Sequence, residues 1–485
     1  MRNSKVISFC VLVIFLVTGC YSRDVRPAGD HTDRTSFMFP DYQEVTIPCN
    51  IAPLNFYYTD PDLSRAVTVF SSGEESVTFK GREVVWKEKV WKRLVASASG
   101  SEIEVVSTLK SGTVEEKRWK IHVSDDSIDP YLTYRLIEPG FEVWDDLEIV
   151  ERHLESFESK VISDWRHTAN KCMNCHIHSQ ARGDLSMFYL RGEGGGAILN
   201  RNETLRKLSL RDSSMISPTV YGEIHPAGRF GVFSTNIIIP GMHSFANRRM
   251  EVFDTASDLC VADFDNNEMM SFPATARDDV FETFPVFSAD GKWVYYCAAP
   301  ARPVPAQINQ LMYSLVRVPF DAATGNLGTQ ADTVWSASAH GLSVCHPKAS
   351  PDGRWLLFTV ADYGTFPINH RECDLRMLDL KTGNIFTIDE VNADGSDTYH
   401  SWSSTSKWFV FASKRGDGMF GKPWFSHVSE DGSVTKPFLL PQEDPHFYDN
   451  MLRSFNVPDL GSSSVGFDAE EIGRVWREVP AEVFN

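Results

Sequence analysis

Apolar and polar residues alternate in short runs along much of this chain. Residues 65–70, 76–79, 103–109 and 117–123 form short segments, most of them rich in β-branched residues, separated by turns such as Ser72-Gly73 and Ser111-Gly112. That pattern predicts a small antiparallel β-sandwich over residues 46–127. Residues 85–96, with two tryptophans and several lysines, read as a strand or a short helix. The period then changes. Leu147, Val150, Leu154, Phe157, Val161 and Ile162 recur near helical spacing, with charges in most positions between them. This predicts a helix inside a short helical segment at 128–184.

From about Ile224 the chain repeats itself. Ile224-His225-Pro226-Ala227-Gly228-Arg229-Phe230, Phe287-Ser288-Ala289-Asp290-Gly291-Lys292-Trp293, Ala349-Ser350-Pro351-Asp352-Gly353-Arg354-Trp355 and Trp402-Ser403-Ser404-Thr405-Ser406-Lys407-Trp408 align, their closing aromatics 63, 62 and 53 residues apart. A mostly apolar strand follows each. Strand, turn and strand in every unit predict propeller blades over 185–460. Met187 to Leu210 and the stretch 438–457 are expected to combine into one closing blade, for five blades, or six. Residues 461–485 are a C-terminal tail. The expected fold class is mainly β: an N-terminal sandwich, a short helical link and a C-terminal propeller.

Chemistry enters at Cys172-Met173-Asn174-Cys175-His176. Two thiols separated by two residues and followed by histidine form the attachment pattern of a c-type haem. The cysteines can add to the two vinyl groups, and His176 can bind the iron as proximal ligand. A disulfide or half of a zinc site are the alternatives. A zinc ribbon needs a second CxxC, which the sequence lacks, and a thioredoxin-like motif needs a βαβ context. A low-spin haem needs a sixth ligand, usually Met or His. Met187 lies eleven residues past His176, and His346, His370 and His400 sit near aligned strands. Those histidines could equally form a channel-mouth site or be structural.

The N-terminus reads as an export signal over residues 1–19. Arg2 and Lys5 precede an apolar run at 6–17 that is shorter than the ~20 residues a spanning helix needs. Leu16-Val17-Thr18-Gly19-Cys20 resembles a bacterial lipobox, which makes Cys20 the lipidated residue and 20–45 a tether. Tyr21 after that cysteine favours the outer membrane by resemblance to bacterial sorting rules, with neither face indicated. After cleavage, 45 basic residues stand against 65 acidic ones. That balance argues against nucleic acid. Of nine cysteines, Cys49, Cys260, Cys297, Cys345 and Cys373 have no assigned role. Their odd number leaves at least one free thiol.

The Pro-x-Phe-Ser-x-Asp-Gly-Lys turn at 285–292 and its counterpart at 347–354 resemble TolB-type propellers. The whole layout resembles a family of bacterial lipoproteins with a lipobox, a small β domain, one CxxCH and a TolB-like propeller. Ile128-Asp129-Pro130-Tyr131-Leu132, Tyr134-Arg135-Leu136-Ile137, Tyr399-His400-Ser401-Trp402-Ser403-Ser404 and Lys436-Pro437-Phe438-Leu439-Leu440-Pro441-Gln442 carry that likeness too. The resemblance implies architecture and compartment more than a reaction. One expected function is electron transfer between membrane and envelope partners, with one covalent haem c and the propeller as docking surface. Another is a protein-binding or scaffold module with a structural or sensory haem. A third is a haem enzyme with an open iron position. No nucleophile motif or paired carboxylates support the enzyme, and no catalytic residue is assigned.

Overall fold

A computed structural model describes residues 36–138, 146–245 and 248–485. Residues 1–19, the lipidation site Cys20 and the tether up to 35 lie outside them. The tether is shorter than expected. Met38–Phe39 already pairs with Phe56–Tyr58, and Val45–Pro48 runs parallel to Thr113–Ser124.

The four strands expected in the N-terminal module are present. With Val45–Pro48 they make a five-stranded sheet in the order Val45–Pro48, Thr113–Ser124, Ser101–Ser111, Arg65–Ser72, Glu75–Lys80. Its companion layer is less than a full second sheet. It comprises the short strands Met38–Phe39, Phe56–Tyr58 and Glu83–Val84 and the helix Glu88–Ser97. The ambiguous stretch at 85–96 is therefore mainly helix, because Trp91, Leu94 and Val95 fall on one face and are buried.

Six further sheets follow among the described residues. Sheet 1 joins Ser454–Gly461 to Tyr131–Ile137, Glu148–His153 and Ser159–Asp164. Sheet 2 runs Met173–Ser179, Arg182–Leu190, Gly196–Arg201, Thr204–Ser209, with Glu482–Val483 added in parallel at its outer edge. Sheet 3 begins at Thr219–Ile224, sheet 4 at Val280–Phe287, sheet 5 at Ser343–Ala349 and sheet 6 at Asp397–Trp402. These first strands and Ser454–Gly461 touch their neighbours in a closed ring. A C-terminal strand thus seals a sheet begun some 320 residues earlier. Each innermost strand pairs with one neighbour in its own sheet, so the ring leaves only short, protected edges.

Two expectations about this region are corrected. Residues 147–162 form a hairpin, not a helix: Val150 pairs with Val161, and His153 N donates to Glu158 O at 2.9 Å. Glu148–His153 lies between two strands and is buried on both faces, so Glu151 and Arg152 are interior. Glu151 is paid for by Ser464 Oγ and Val465 N, both at 2.7 Å. A strand buried on both faces has no period of two to reveal it. The closing sheet is also not Met187 to Leu210 with 438–457. Sheet 2 builds itself from its own stretch, and closure falls on 131–164. The ring therefore begins near 131, and the CxxCH stretch lies inside it rather than on a helical link. The tail 461–485 is structured too. Ala469–Glu478 is a helix capped by Asp468, whose carboxylate accepts from Glu471 N at 2.9 Å.

Candidate functional site: the channel of the ring

The repeated turns set the channel wall. Ser288 Oγ accepts from Trp293 N at 3.0 Å and donates to Asp290 at 2.7 Å. Ser350 with Asp352 and Trp355, and Ser403 with Thr405 and Trp408, repeat that arrangement. Each turn hands the chain from the innermost strand to the second. Every innermost strand is broken at the same level, between Asn174 and Ile177, Thr219 and Gly222, Thr283 and Val286, Cys345 and Lys348, Thr398 and His400, Asn456 and Asp459. Five of the breaks hold a left-handed residue: Cys175, Phe284, His346, Tyr399 and Val457, with φ between 45° and 55°. Such φ values are strained for these side chains. Their recurrence makes the bulge a device of the ring, shared by the CxxCH strand.

The bulges make a belt. Ring centroids are 4.3 Å apart for Tyr221 and Phe284, 4.4 Å for Phe284 and His346, and 4.6 Å for His346 and Tyr399. Cys175 and Val457 occupy the same level on sheets 2 and 1. Burial, reinforced by the nearby Cys175 thiol, pushes the Tyr221 phenol well above its ordinary value. Below the belt the channel turns polar. Lys348 Nζ lies 3.1 Å from Glu223 Oε1, and Phe287 N donates to Glu223 Oε2 at 2.7 Å. Burial lowers the Lys348 pKa, but Glu223 and Asp459 outweigh it and hold the ammonium above its ordinary value.

The motif spans this boundary. Met173 to His176 lie on the strand Met173–Ser179, with Cys172 immediately before it, not on a helical turn. Cys172 and Cys175 are half-buried free thiols. Cys172 packs against the apolar cluster that contains Ile137, Met173 and Leu190, and Cys175 against the one that contains Met187 and Tyr189. His176 is buried, and its Nε2 lies 2.7 Å from Val457 O. A carbonyl only accepts, so Nε2 carries the hydrogen. Burial pushes this imidazole down to about 4, so it is neutral at pH 7.

The proposed sixth ligands are dispersed. Met187 pairs in register with Ile177 and is buried in the apolar cluster that Cys175 joins. His346 is in the belt, its Nδ1 3.3 Å from Thr398 Oγ1 and its Nε2 unpartnered. His400 is buried one residue past the belt, with neither ring nitrogen well hydrogen-bonded. Burial drives both imidazoles to about 3.

His370 is not in the channel wall. It follows the turn Pro367–Asn369, between Glu251 at 3.2 Å and Glu372 at 3.1 Å. Glu251 belongs to the long hairpin Phe230–Phe245 and Arg248–Asp263 of sheet 3, which reaches past sheet 4 to this loop. Burial lowers the His370 pKa, but the two carboxylates outweigh it, for a net rise. The stabilisation is then fully present below the ordinary histidine value of about 6.5 and fades as pH rises through the higher folded value. His370→Gln is expected to lower the melting temperature most near pH 5.5. Thermal scans across pH check this; a deficit that grows with pH contradicts it.

Sequence reasoning missed Tyr221, Phe284, Tyr399, Glu223, Lys348 and Asp459. The signal was present. Tyr221, Phe284, His346 and Tyr399 each stand three residues before the first residue of an aligned turn.

The closed ring of strand-paired sheets decides the class. The chain is a β-propeller protein. No family model matches it, and no curated protein does. Solved structures similar to it include TolB from Acinetobacter baumannii, 12% identical over 74% of this chain and 86% of that one, with a TM-score of 0.39. The periplasmic gluconolactonase PpgL from Pseudomonas aeruginosa is 12% identical over 64% and 97%, with a TM-score of 0.33. Prolyl oligopeptidase B from Galerina marginata is 10% identical over 63% and 44%, with a TM-score of 0.35. The propeller assignment rests on this chain's own strand pairing.

Proposed function

We propose that this protein is a lipid-anchored, mono-haem c protein of the bacterial outer membrane, with a six-bladed, TolB-like propeller that docks an envelope redox partner. The observation that carries the proposal is the position of Cys175 and His176 on a strand lining the channel, with Cys172 immediately before it, both thiols outside any disulfide and the imidazole neutral. The donor set fits a c-type haem: two thiols for the thioether bonds and a neutral ring for the iron. Bound there, the group would supply one-electron transfer. Ligation through His176 Nε2 and its hydrogen bond to Val457 O exclude one another, so attachment must exchange that bond. Arg135 holds the strand by donating to Met173 O at 3.3 Å, and Arg191 does so by donating to Asn174 Oδ1 at 3.1 Å. Met187, His346 and His400 remain the candidates for the opposite face; His370, held by two carboxylates, is the weakest.

Export of the full chain in a host with haem-attachment machinery tests this. Covalent haem surviving denaturing electrophoresis is expected, and Cys172→Ala with Cys175→Ala should abolish it. Protein without covalent haem overturns the proposal. Spectra of the reduced protein with and without carbon monoxide then separate a six-coordinate carrier from a haem enzyme with an open iron position. A second reading, a binding module with a structural or sensory haem, is favoured by the aromatic belt and the unpartnered His346 and His400 nitrogens. It gains if partner binding survives Cys172→Ala.

A further inference from the structure

A cavity of about 540 Å³ lies between sheet 1 and the segment after sheet 6 and shares no residue with the channel belt. Its apolar lining is Leu136, Val150, Val161 and Phe455 from sheet 1, with Phe447 and Met451 opposite, beside polar groups such as Tyr134, Ser159 and Gln442. One cation faces this space. Arg152 is only 3% exposed, yet none of its hydrogen bonds goes to a carboxylate. Its Nη2 donates to Pro441 O at 3.3 Å and its Nη1 to Glu158 O at 3.5 Å, while Nε has no partner. The guanidinium lies 5.3 Å from the Phe157 ring. Glu148, also in the wall, is taken by Arg166 at 3.3 Å and Arg453 at 3.2 Å.

A buried guanidinium normally has an anion or a full set of acceptors, because desolvation disfavours it. The cavity is within the range of small-molecule sites, which join apolar walls to a few placed polar groups. Arginine is suited to gripping a planar carboxylate. Glu443 and Asp444 also line the cavity and disfavour a polyanion such as a phosphate ester. We propose that this cavity binds an amphipathic monocarboxylate, its head on Arg152 and its apolar body against Val150, Val161 and Phe455. The inference is independent of the haem.

Decanoate, decanol and decyltrimethylammonium, titrated calorimetrically into the mature protein, test it. Decanoate is expected to bind at least tenfold more tightly than either control. Arg152→Gln should remove that preference and leave decanol unchanged. Val161→Trp, which fills the cavity and keeps the cation, should abolish decanoate binding and covers the case in which Arg152→Gln fails to fold. Equal affinity for decanoate and decanol, undiminished binding in Val161→Trp, or no decanoate binding by the parent protein overturns the proposal.

Discussion

Trp408→Ala is expected to destabilise the protein by about 3–5 kcal/mol, the range for removing a fully buried large aromatic. Trp408 is 0% exposed. It closes the repeated turn of sheet 6, with its backbone N–H on Ser403 Oγ at 3.1 Å. Its indole N–H donates to Asp126 O at 3.1 Å, and its ring meets His427 at 4.8 Å. Asp126 ends the N-terminal module, and its carboxylate lies 2.7 Å from His427 Nε2. The side chain therefore joins the module to the ring, within one apolar cluster that includes Trp91, Trp119 and Phe425. Chemical-denaturation midpoints followed by tryptophan fluorescence measure the loss. A loss below 1 kcal/mol would mean that module and ring are not coupled through this contact.

Lys348→Met should cost a similar amount, about 3–5 kcal/mol, because it leaves Glu223 buried without its counter-charge. The Lys348 side chain is 23% exposed and that of Glu223 8%, so solvent screens the pair only partly. Adding Glu223→Gln should recover most of the loss, since the neutral amide can still accept from Phe287 N, as Glu223 does at 2.7 Å. The double-mutant cycle isolates the pairwise interaction. Additive losses would show that Lys348 acts through packing alone.

Much of the ring was legible in the chain. The four aligned turns were read correctly because each uses its own side chains: Ser350 bonds Asp352 and Trp355 locally. The N-terminal strands were legible for the same kind of reason, since Arg65–Ser72 buries alternate residues on one face. Residues 147–162 failed for the opposite reason. A strand buried on both faces keeps apolar residues in no fixed alternation, and Glu151 and Arg152 find partners from distant parts of the chain.

By itself the sequence determined the repeat, its turn chemistry, the strand-rich module and the Cys172-to-His176 donor set, because each is written over a few consecutive residues. Only the tertiary structure decided that this donor set lies on a channel-lining strand, that 131–164 supplies the sheet sealed by Ser454–Gly461, and that His176 meets Val457. The last two of those facts join stretches some 280 to 320 residues apart. Closure of the ring brings those stretches together, and no local pattern encodes them.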